Sequence, residues 1–525
     1  MEKGVDQTSY IIIESSTTLP KTTTASCYRS KPISEFMTEF KATLKELFDE
    51  RAQDESAYIK RDFAPDFLNR IMAHKPLSVA IPAQYGGRGA LPKECISLLQ
   101  AASYESISLT LIFGINIALF IEPFAKYGVD ELKPAVFKRF IERGHMGGLM
   151  ITEPDYGSDA LNMKTAYTQN EQGNYNIKGT KHWQGLTGMA EYWLVAARKQ
   201  TSSGALSRDV DLFMTDDTQA AQNIKVSERF NNYGLYPIPY GRNEIDIEVP
   251  GSHRLIPETT GIKLLMDTLH RSRLQFPGMA TGFVKRALDE ATAHCNQRLI
   301  RGKALGQFDQ VQSDLVKLER AYTLCSAMCF WSAENSSIDR DLSLQGIMAN
   351  TFKALVSDLM QESAQILTQL SGSKGYHIGS LGSRAIMDSR PFQIFEGPND
   401  MLFTQLAEMI LKKMFKSKEM NLYQFLKTYE YSAAAAELFA KDTNLTLEKA
   451  MPQRKLVVLG RAMAKIIMAD RVLDLSNAGF NQDMVDNCII SLKQEVSNLL
   501  NSYQNQTNSA PTVHFNDDSA WQGLL

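Results

Sequence analysis

The chain has 525 residues and a mass of 58.8 kDa, too long for one simple core, so a length prior gives about three or four domains or subdomains. Its 44% hydrophobic and 22% charged content is ordinary for a soluble globular protein, and a net charge of −3 gives no overall attraction to nucleic acid or to an anionic membrane. The longest apolar run, near Leu109–Ile121, is broken by Gly114 and Asn116 and falls short of the about 20 residues that span a bilayer.

Residues 1–30 are rich in Ser and Thr, but acidic Glu2, Asp6 and Glu14 argue against a mitochondrial presequence, so a flexible tail on a cytoplasmic protein is expected. From about Ile33 to His145 apolar residues such as Phe36, Phe40, Leu44 and Leu47 recur at helical spacing, punctuated by Ile81-Pro82 and Tyr85-Gly86-Gly87. This predicts an N-terminal helical bundle. Between about Gly148 and Pro257 the period changes to short alternating or β-branched runs, at Tyr175–Lys178, Tyr192–Ala197, Asp209–Met214 and Glu244–Val249, which predict a small β domain. Helical spacing returns over Ile262–Arg298, Gln310–Asn335, Asp341–Leu370 and Met401–Met414, enough for a four-helix bundle.

Beyond Ser417, Leu456, Val457, Ala462, Ile466, Ile467, Val472 and Leu473 predict one more helix, with Arg461, Lys465 and Arg471 among them, and the polar stretch after Ser502 reads as a loose tail. The expected division is 1–30, 31–147, 148–258, 259–416 and 417–525. The six cysteines (Cys27, Cys95, Cys295, Cys325, Cys329, Cys488) form no C-x-x-C, so reduced thiols are expected rather than disulfides or zinc ligands. No clustered His and Cys suggests a metal, and no G-x-G-x-x-G follows a strand.

Two phrases carry the chemistry. Thr152-Glu153-Pro154-Asp155-Tyr156-Gly157-Ser158-Asp159 and Phe392-Gln393-Ile394-Phe395-Glu396-Gly397-Pro398-Asn399 resemble the flavin-contacting segment (TEPxxGSD) and the base-bearing segment (YEGTxE) of the acyl-CoA dehydrogenases. The turn Ile81–Gly89 resembles that family's P-x-x-Y-G-G-x-G, and the order of helices, β domain and helices matches its fold over roughly residues 35–415. The resemblance implies a mainly α protein with a central β-barrel-like domain, FAD as cofactor, and an electron-transfer flavoprotein as acceptor. A weakly acidic α-proton calls for a base at Cα and a hydride acceptor at Cβ, and a carboxylate in apolar surroundings gains the basicity required.

On this resemblance Glu396 is the base, and Gly397, lacking a Cβ, lets backbone approach the thioester. The carbonyl of that thioester would meet the Glu396 N–H and the flavin ribityl 2′-hydroxyl. Thr152 would bond the flavin ring, Ser158 the pyrophosphate, and Trp183, in Gly179-Thr180-Lys181-His182-Trp183-Gln184-Gly185, would pack on the isoalloxazine; Asn399 is also placed with the cofactor. Arg273 falls where the family has an arginine beside the active site. Arg298 and Gln310, and Gln369 and Gly372 of Gln369-Leu370-Ser371-Gly372-Ser373-Lys374-Gly375-Tyr376, resemble residues that reach the FAD of a neighbouring subunit, which implies a homodimer or homotetramer.

Departures mark a divergent member. Pro398 stands where Thr is usual, Gln184-Gly185 replace Ile-Thr, so that a flavin hydrogen bond is either absent or remade by Gln184 or Thr187, and Arg301 replaces Phe. The expected activity is α,β-dehydrogenation of an acyl thioester, acyl-CoA of medium or long chain, since Leu109–Phe120 is apolar. The rivals are an oxidase or desaturase acting on an acyl-carrier protein, and a non-catalytic relative that binds nucleic acid or a protein through its C-terminal helices. Against nucleic acid, residues after 420 carry no basic excess. Membrane contact through the 456–475 helix is a weaker alternative.

Overall fold

A computed structural model describes residues 31–505 and 521–524. The expected N-terminal tail, Cys27 and most of the polar C-terminal stretch lie outside the described residues. Helix α1 (Ile33–Ala52) buries Phe36, Phe40, Leu44 and Leu47, the stripe that its sequence period predicted. Helices α2 (Pro65–Met72) and α3 (Pro92–Glu105) each start with a proline in the first turn, where a missing N–H does no harm.

Helix α4 (Ile107–Tyr127) is the surprise of this region. The apolar run does not stop at Ile121 but continues as one 21-residue helix, long and apolar enough by composition to cross a membrane. Nearly all of it is buried, so it is read as a core helix. Ser106 caps it, accepting from Leu109 N at 3.2 Å, and a π-helical turn interrupts it over Ile117–Ile121. Helix α5 (Lys133–Arg143) closes this group and ends at Gly144 in a left-handed conformation.

Seven strands follow: β1 (Gly147–Met150), β2 (Ala166–Gln169), β3 (Tyr175–Gly185), β4 (Tyr192–Lys199), β5 (Asp211–Asp216), β6 (Lys225–Arg229) and β7 (Tyr240–Val249). They form one mixed sheet in the order β1-β4-β2-β3-β7-β6, with β5 antiparallel to β4 and both β1 and β2 parallel to it. The four predicted strands are present. The short β1, β2 and β6 were not anticipated, because four or five residues give too little alternation to detect.

Helix α6 (Gly261–Gln297) then runs for 37 residues through the middle of the molecule, with Thr260 capping it and Pro277 accommodated inside it. Its Gly282 touches α3 so closely that an added Cβ would lie 1.9 Å from Gln100 O. A two-stranded hairpin (β8, Leu299–Ile300; β9, Lys303–Ala304) leads to α7 (Asp309–Asn335), α8 (Gly346–Ser371), α9 (Leu381–Ser389) and α10 (Asn399–Lys416). Two further long helices, α11 (Gln453–Asn477) and α12 (Gln482–Asn505), pack on α10 and α7. The apolar residues of α11, including Leu456, Ala462, Ile466, Ile467 and Val472, are buried in that contact rather than offered to a membrane.

Candidate active site

The site is built around a backbone turn just ahead of α10. Glu396 has φ of +53° and Gly397 φ of +101°, a left-handed pair in which only the glycine is at ease. An added Cβ on Gly397 would also stand 2.9 Å from the Leu402 side chain. Two buried cations hold the strained turn: Arg273 of α6 donates to Glu396 O at 2.7 Å, and Lys353 of α8 donates to Gly397 O at 2.6 Å and to Asn399 Oδ1 at 3.0 Å. Arg273 is itself aimed by Asn350, whose Oδ1 accepts from it at 2.7 Å. Strain of this kind persists only where surrounding contacts over-determine it.

The Glu396 carboxyl points inward. Ser272 Oγ donates to its Oε1 at 2.7 Å, while Oε2 is buried with no hydrogen-bond partner among the described residues. Burial raises the carboxyl pKa above the ordinary range; Ser272, Arg273 and Lys353 pull the other way without cancelling it. The same burial brings Lys353 down to about 7, helped by Arg273 and opposed by Glu396. Both groups are therefore moved towards their neutral forms, and one carboxylate oxygen is left to take a proton. Behind the turn, Phe276 meets Phe392 and Phe395 edge to face at 5.7 and 5.9 Å, and Phe392 and Phe395 lie tilted at 5.0 Å, which makes an apolar wall.

Glu396, Gly397 and Arg273 line a cleft of about 410 Å³ between α4, the sheet, α6 and α10. Its inner wall is apolar: Leu111, Ile115 and Leu119 from α4, Leu149 from β1 and Ile151 just after it, and Leu265 and Leu269 from α6. Thr152, Gly157, Ser158, Trp183, Gln184 and Gly185 line the opposite side. The Thr152 loop is pinned from beneath by a buried ion pair. Lys181 Nζ, fully buried, lies 3.1 Å from Glu153 Oε1 and donates to Ile151 O, while the Glu153 carboxylate also accepts from Lys164 N and Thr165 N. Burial lowers Lys181 to about 8 against the pull of Glu153.

Trp183 is set by a β-bulge. The β3–β7 register slips between His182 and Gln184, and the extra residue, Trp183, takes φ of +63°. Its ring, 52% exposed, rests on Phe230 at 4.5 Å and faces the cleft opening. Gln184, the departure from the family pattern, is buried and engaged: its Nε2 donates to Thr152 O at 3.2 Å and its Oε1 accepts from Asn243 at 3.4 Å. Thr187 is tied to Gln184 O and to Asn243.

The remaining candidates divide. Arg298, Gln310, Gln369 and Gly372 converge from three elements on a second cleft of about 450 Å³ that shares no lining residue with the first. Asn399 enters neither. It is buried at the start of α10, donates to Ala354 O, Ser357 Oγ and Asp358 Oδ1 at 2.8–3.0 Å and accepts from Lys353, which makes it a fastener of the turn rather than a ligand contact. Sequence reasoning missed Ser272 and Lys353. A signal existed for the second: Lys353 sits on the stripe Ala349, Val356, Ser357 and Met360, where a lysine must have a buried partner.

Three domain models of one family match the chain: acyl-CoA dehydrogenase N-terminal domain over residues 34–143, middle domain over 148–246 and C-terminal domain over 259–411, together well over half of it. The chain belongs to the acyl-CoA dehydrogenase family. Acyl-CoA dehydrogenases are FAD-dependent oxidoreductases, and curated relatives include an acyl-CoA dehydrogenase of Bacillus subtilis, 23% identical over 67% of this chain and 90% of its own length. A short-chain-specific acyl-CoA dehydrogenase of Megasphaera elsdenii is 24% identical over 61% and 82%. Among solved structures, butyryl-CoA dehydrogenase from Megasphaera elsdenii superposes with a TM-score of 0.63 at 20% identity, over 72% of this chain and 98% of that one. An acyl-CoA dehydrogenase complexed with FAD from Bacillus anthracis gives a TM-score of 0.71 at 18% identity over 90% and 87%. Coverage of 90% extends past residues 34–411, so at least one family fold also shares part of the flanking structure.

Proposed function

We propose that this acyl-CoA dehydrogenase oxidises an acyl-CoA thioester between Cα and Cβ to the trans-2-enoyl thioester, with Glu396 as the base. The observation that carries this reading is the Glu396 carboxyl itself: it lines an apolar cleft, one oxygen is tethered by Ser272 and the other is unpaired. An α-proton removed by Oε2 leaves a carboxylic acid that burial favours, which is the direction a base in this position needs.

The cleft fits FAD. Gly157 has open space where a Cβ would stand, the Thr152–Ala160 loop is fixed from beneath by Glu153 and Lys181, and the bulge holds an indole at the cleft opening. When bound, FAD supplies the two-electron acceptor for the hydride leaving Cβ. Thr152 and Ser158 would hold its ring and pyrophosphate edges, and Trp183 would cover one end. The Glu396 N–H would donate to the thioester carbonyl, and the left-handed turn fixes its direction. Gln184 is held in place by Thr152 O and Asn243 yet keeps a second Nε2 hydrogen for the flavin contact that the usual Thr would make, whereas the Thr187 hydroxyl has spent its one hydrogen on Gln184 O.

The second cleft supports a homodimer. Arg298, Gln310, Gln369 and Gly372 are exposed, and Leu299, Ile300, Tyr376 and Ile378, adjacent along the chain, are exposed apolar residues that a second copy would cover. The apolar inner wall favours straight medium or long acyl chains, and an electron-transfer flavoprotein is the proposed acceptor. The test is an anaerobic titration of the purified flavoprotein with acyl-CoAs of increasing length. Bleaching of the visible flavin band, absent in Glu396→Gln, is expected; a protein that retains flavin and bleaches with no acyl-CoA would sink the reading and favour a carrier-protein thioester.

A further inference from the structure

Helices α11 and α12 add no side chain to either cleft, yet one residue of α11 reaches the supports of the catalytic turn. The two helices α10 and α11 touch at Gly460. A Cβ there would fall 2.0 Å from Phe403 O, so only glycine allows this approach. The contact aims the next residue: the Arg461 guanidinium lies 4.5 Å from the centre of the Phe403 ring and donates to Asp358 Oδ2 at 3.2 Å and Asp400 Oδ1 at 2.9 Å. Asp358, on α8, uses its other oxygen for the turn. Its Oδ1 accepts from Gln393 Nε2 at 2.7 Å and from Asn399 Nδ2 at 2.8 Å.

Gln393 and Asn399 stand three residues before and three after Glu396, so a single carboxylate grips both flanks of the turn. That carboxylate is only partly buried, and without a partner for Oδ2 it is free to rotate towards water and release Oδ1. We propose that Arg461 is a positioning residue for Glu396, acting through Asp358, and that the C-terminal helices thereby hold the base in register with the substrate. The inference rests on Glu396 being the base. The ion pair of α12 with the bundle, Glu495 to Arg320, and the pair between α11 and α12, Lys465 to Glu495, touch no residue of the turn.

The test compares Arg461→Gln, Arg461→Lys and Lys465→Gln as purified flavoproteins, by amide hydrogen exchange over residues 392–402 and by steady-state kinetics. Arg461→Gln is expected to speed exchange in that segment and to lower kcat about tenfold with KM little changed, as small misplacements of a reacting group do. Arg461→Lys, which keeps the charge but reaches one carboxylate at a time, is expected to restore part of both, and it carries the test if Arg461→Gln yields no folded protein. Lys465→Gln, one turn further along the same helix, is expected to leave the segment as it is. Unchanged exchange and kcat in Arg461→Gln, faster exchange with unchanged kcat, or equal loosening by Lys465→Gln would each overturn the proposal. Failure of the functional reading would show differently: Glu396→Gln would still turn over acyl-CoA, with the exchange difference between Arg461→Gln and the parent intact.

Discussion

The two clefts are similar in volume and opposite in construction. The first is lined by a turn in which the Glu396 and Gly397 carbonyls and one of the two Glu396 carboxylate oxygens are already bonded, by Arg273, Lys353 and Ser272. The second is lined by exposed side chains, Arg298, Gln310 and Gln369, at the ends of α6, α7 and α8. A group that must abstract a proton has to be fixed before the substrate arrives, whereas residues that hold the far end of a ligand can be ordered by the ligand and by a second copy of the chain. Buried preorganisation is therefore concentrated where bond breaking is proposed, and the open cleft is where assembly is proposed.

The sharpest way to break this contrast is Glu396→Gln. It keeps shape and the Ser272 contact but removes the base, and kcat is expected to fall by about 10³-fold with flavin still bound, since general bases contribute roughly 10²–10⁴-fold. A smaller loss, measured by single-turnover bleaching, would place the base elsewhere. Lys353→Met comes next. It leaves buried Gly397 O without its donor and Asn399 Oδ1 with only the 3.3 Å contact from Ser357, so thermal unfolding should show a loss of about 2 kcal/mol as well as reduced kcat. Stability unchanged with kcat lowered would mean that the ammonium acts on the reaction and not on the turn. Arg298→Gln should spare the first cleft entirely; about tenfold weaker flavin retention, together with more monomer in sedimentation, is expected from losing one charge-assisted contact. Normal flavin content and an unchanged dimer would remove the second cleft from cofactor binding.

What could be read in the sequence follows the same division. Long periodic elements such as α6, α7, α8 and α11 were legible to within a few residues, because 25 or more positions of helical spacing leave little choice. The strands β1, β2 and β6 were not, and neither was the continuation of α4 past Ile121, where buried Glu122 interrupts the apolar run while bonded to Gln275 at 2.8 Å. Motif phrases singled out Glu396, Trp183 and the Thr152 loop, which line one cleft. They gave no hint that Asn399 faces inward, since the same amide serves a cofactor or a helix start equally well in a linear string. Ser272 was invisible for a related reason: its role comes from a contact across 124 positions of chain, which no local spacing encodes.

Ser272 also gives the finest test of the first cleft. The pKa of Glu396 is raised by burial and held back by the Ser272 hydroxyl, which bonds the charged form. Activity of the free enzyme requires the ionised carboxylate, so kcat/KM should rise with pH along a limb lying above the ordinary carboxylate range. Ser272→Ala removes a donor that stabilises the anion while burial stays, so the limb should move to still higher pH, by about one unit or less. The sign is the informative part. A limb that stays in place would mean that the hydroxyl bonds the protonated and ionised forms equally, and a limb that moves to lower pH would mean that water enters the space and solvates the carboxylate better than Ser272 does. In that last case the dryness of the cleft, more than any single hydrogen bond, would be what makes Glu396 basic.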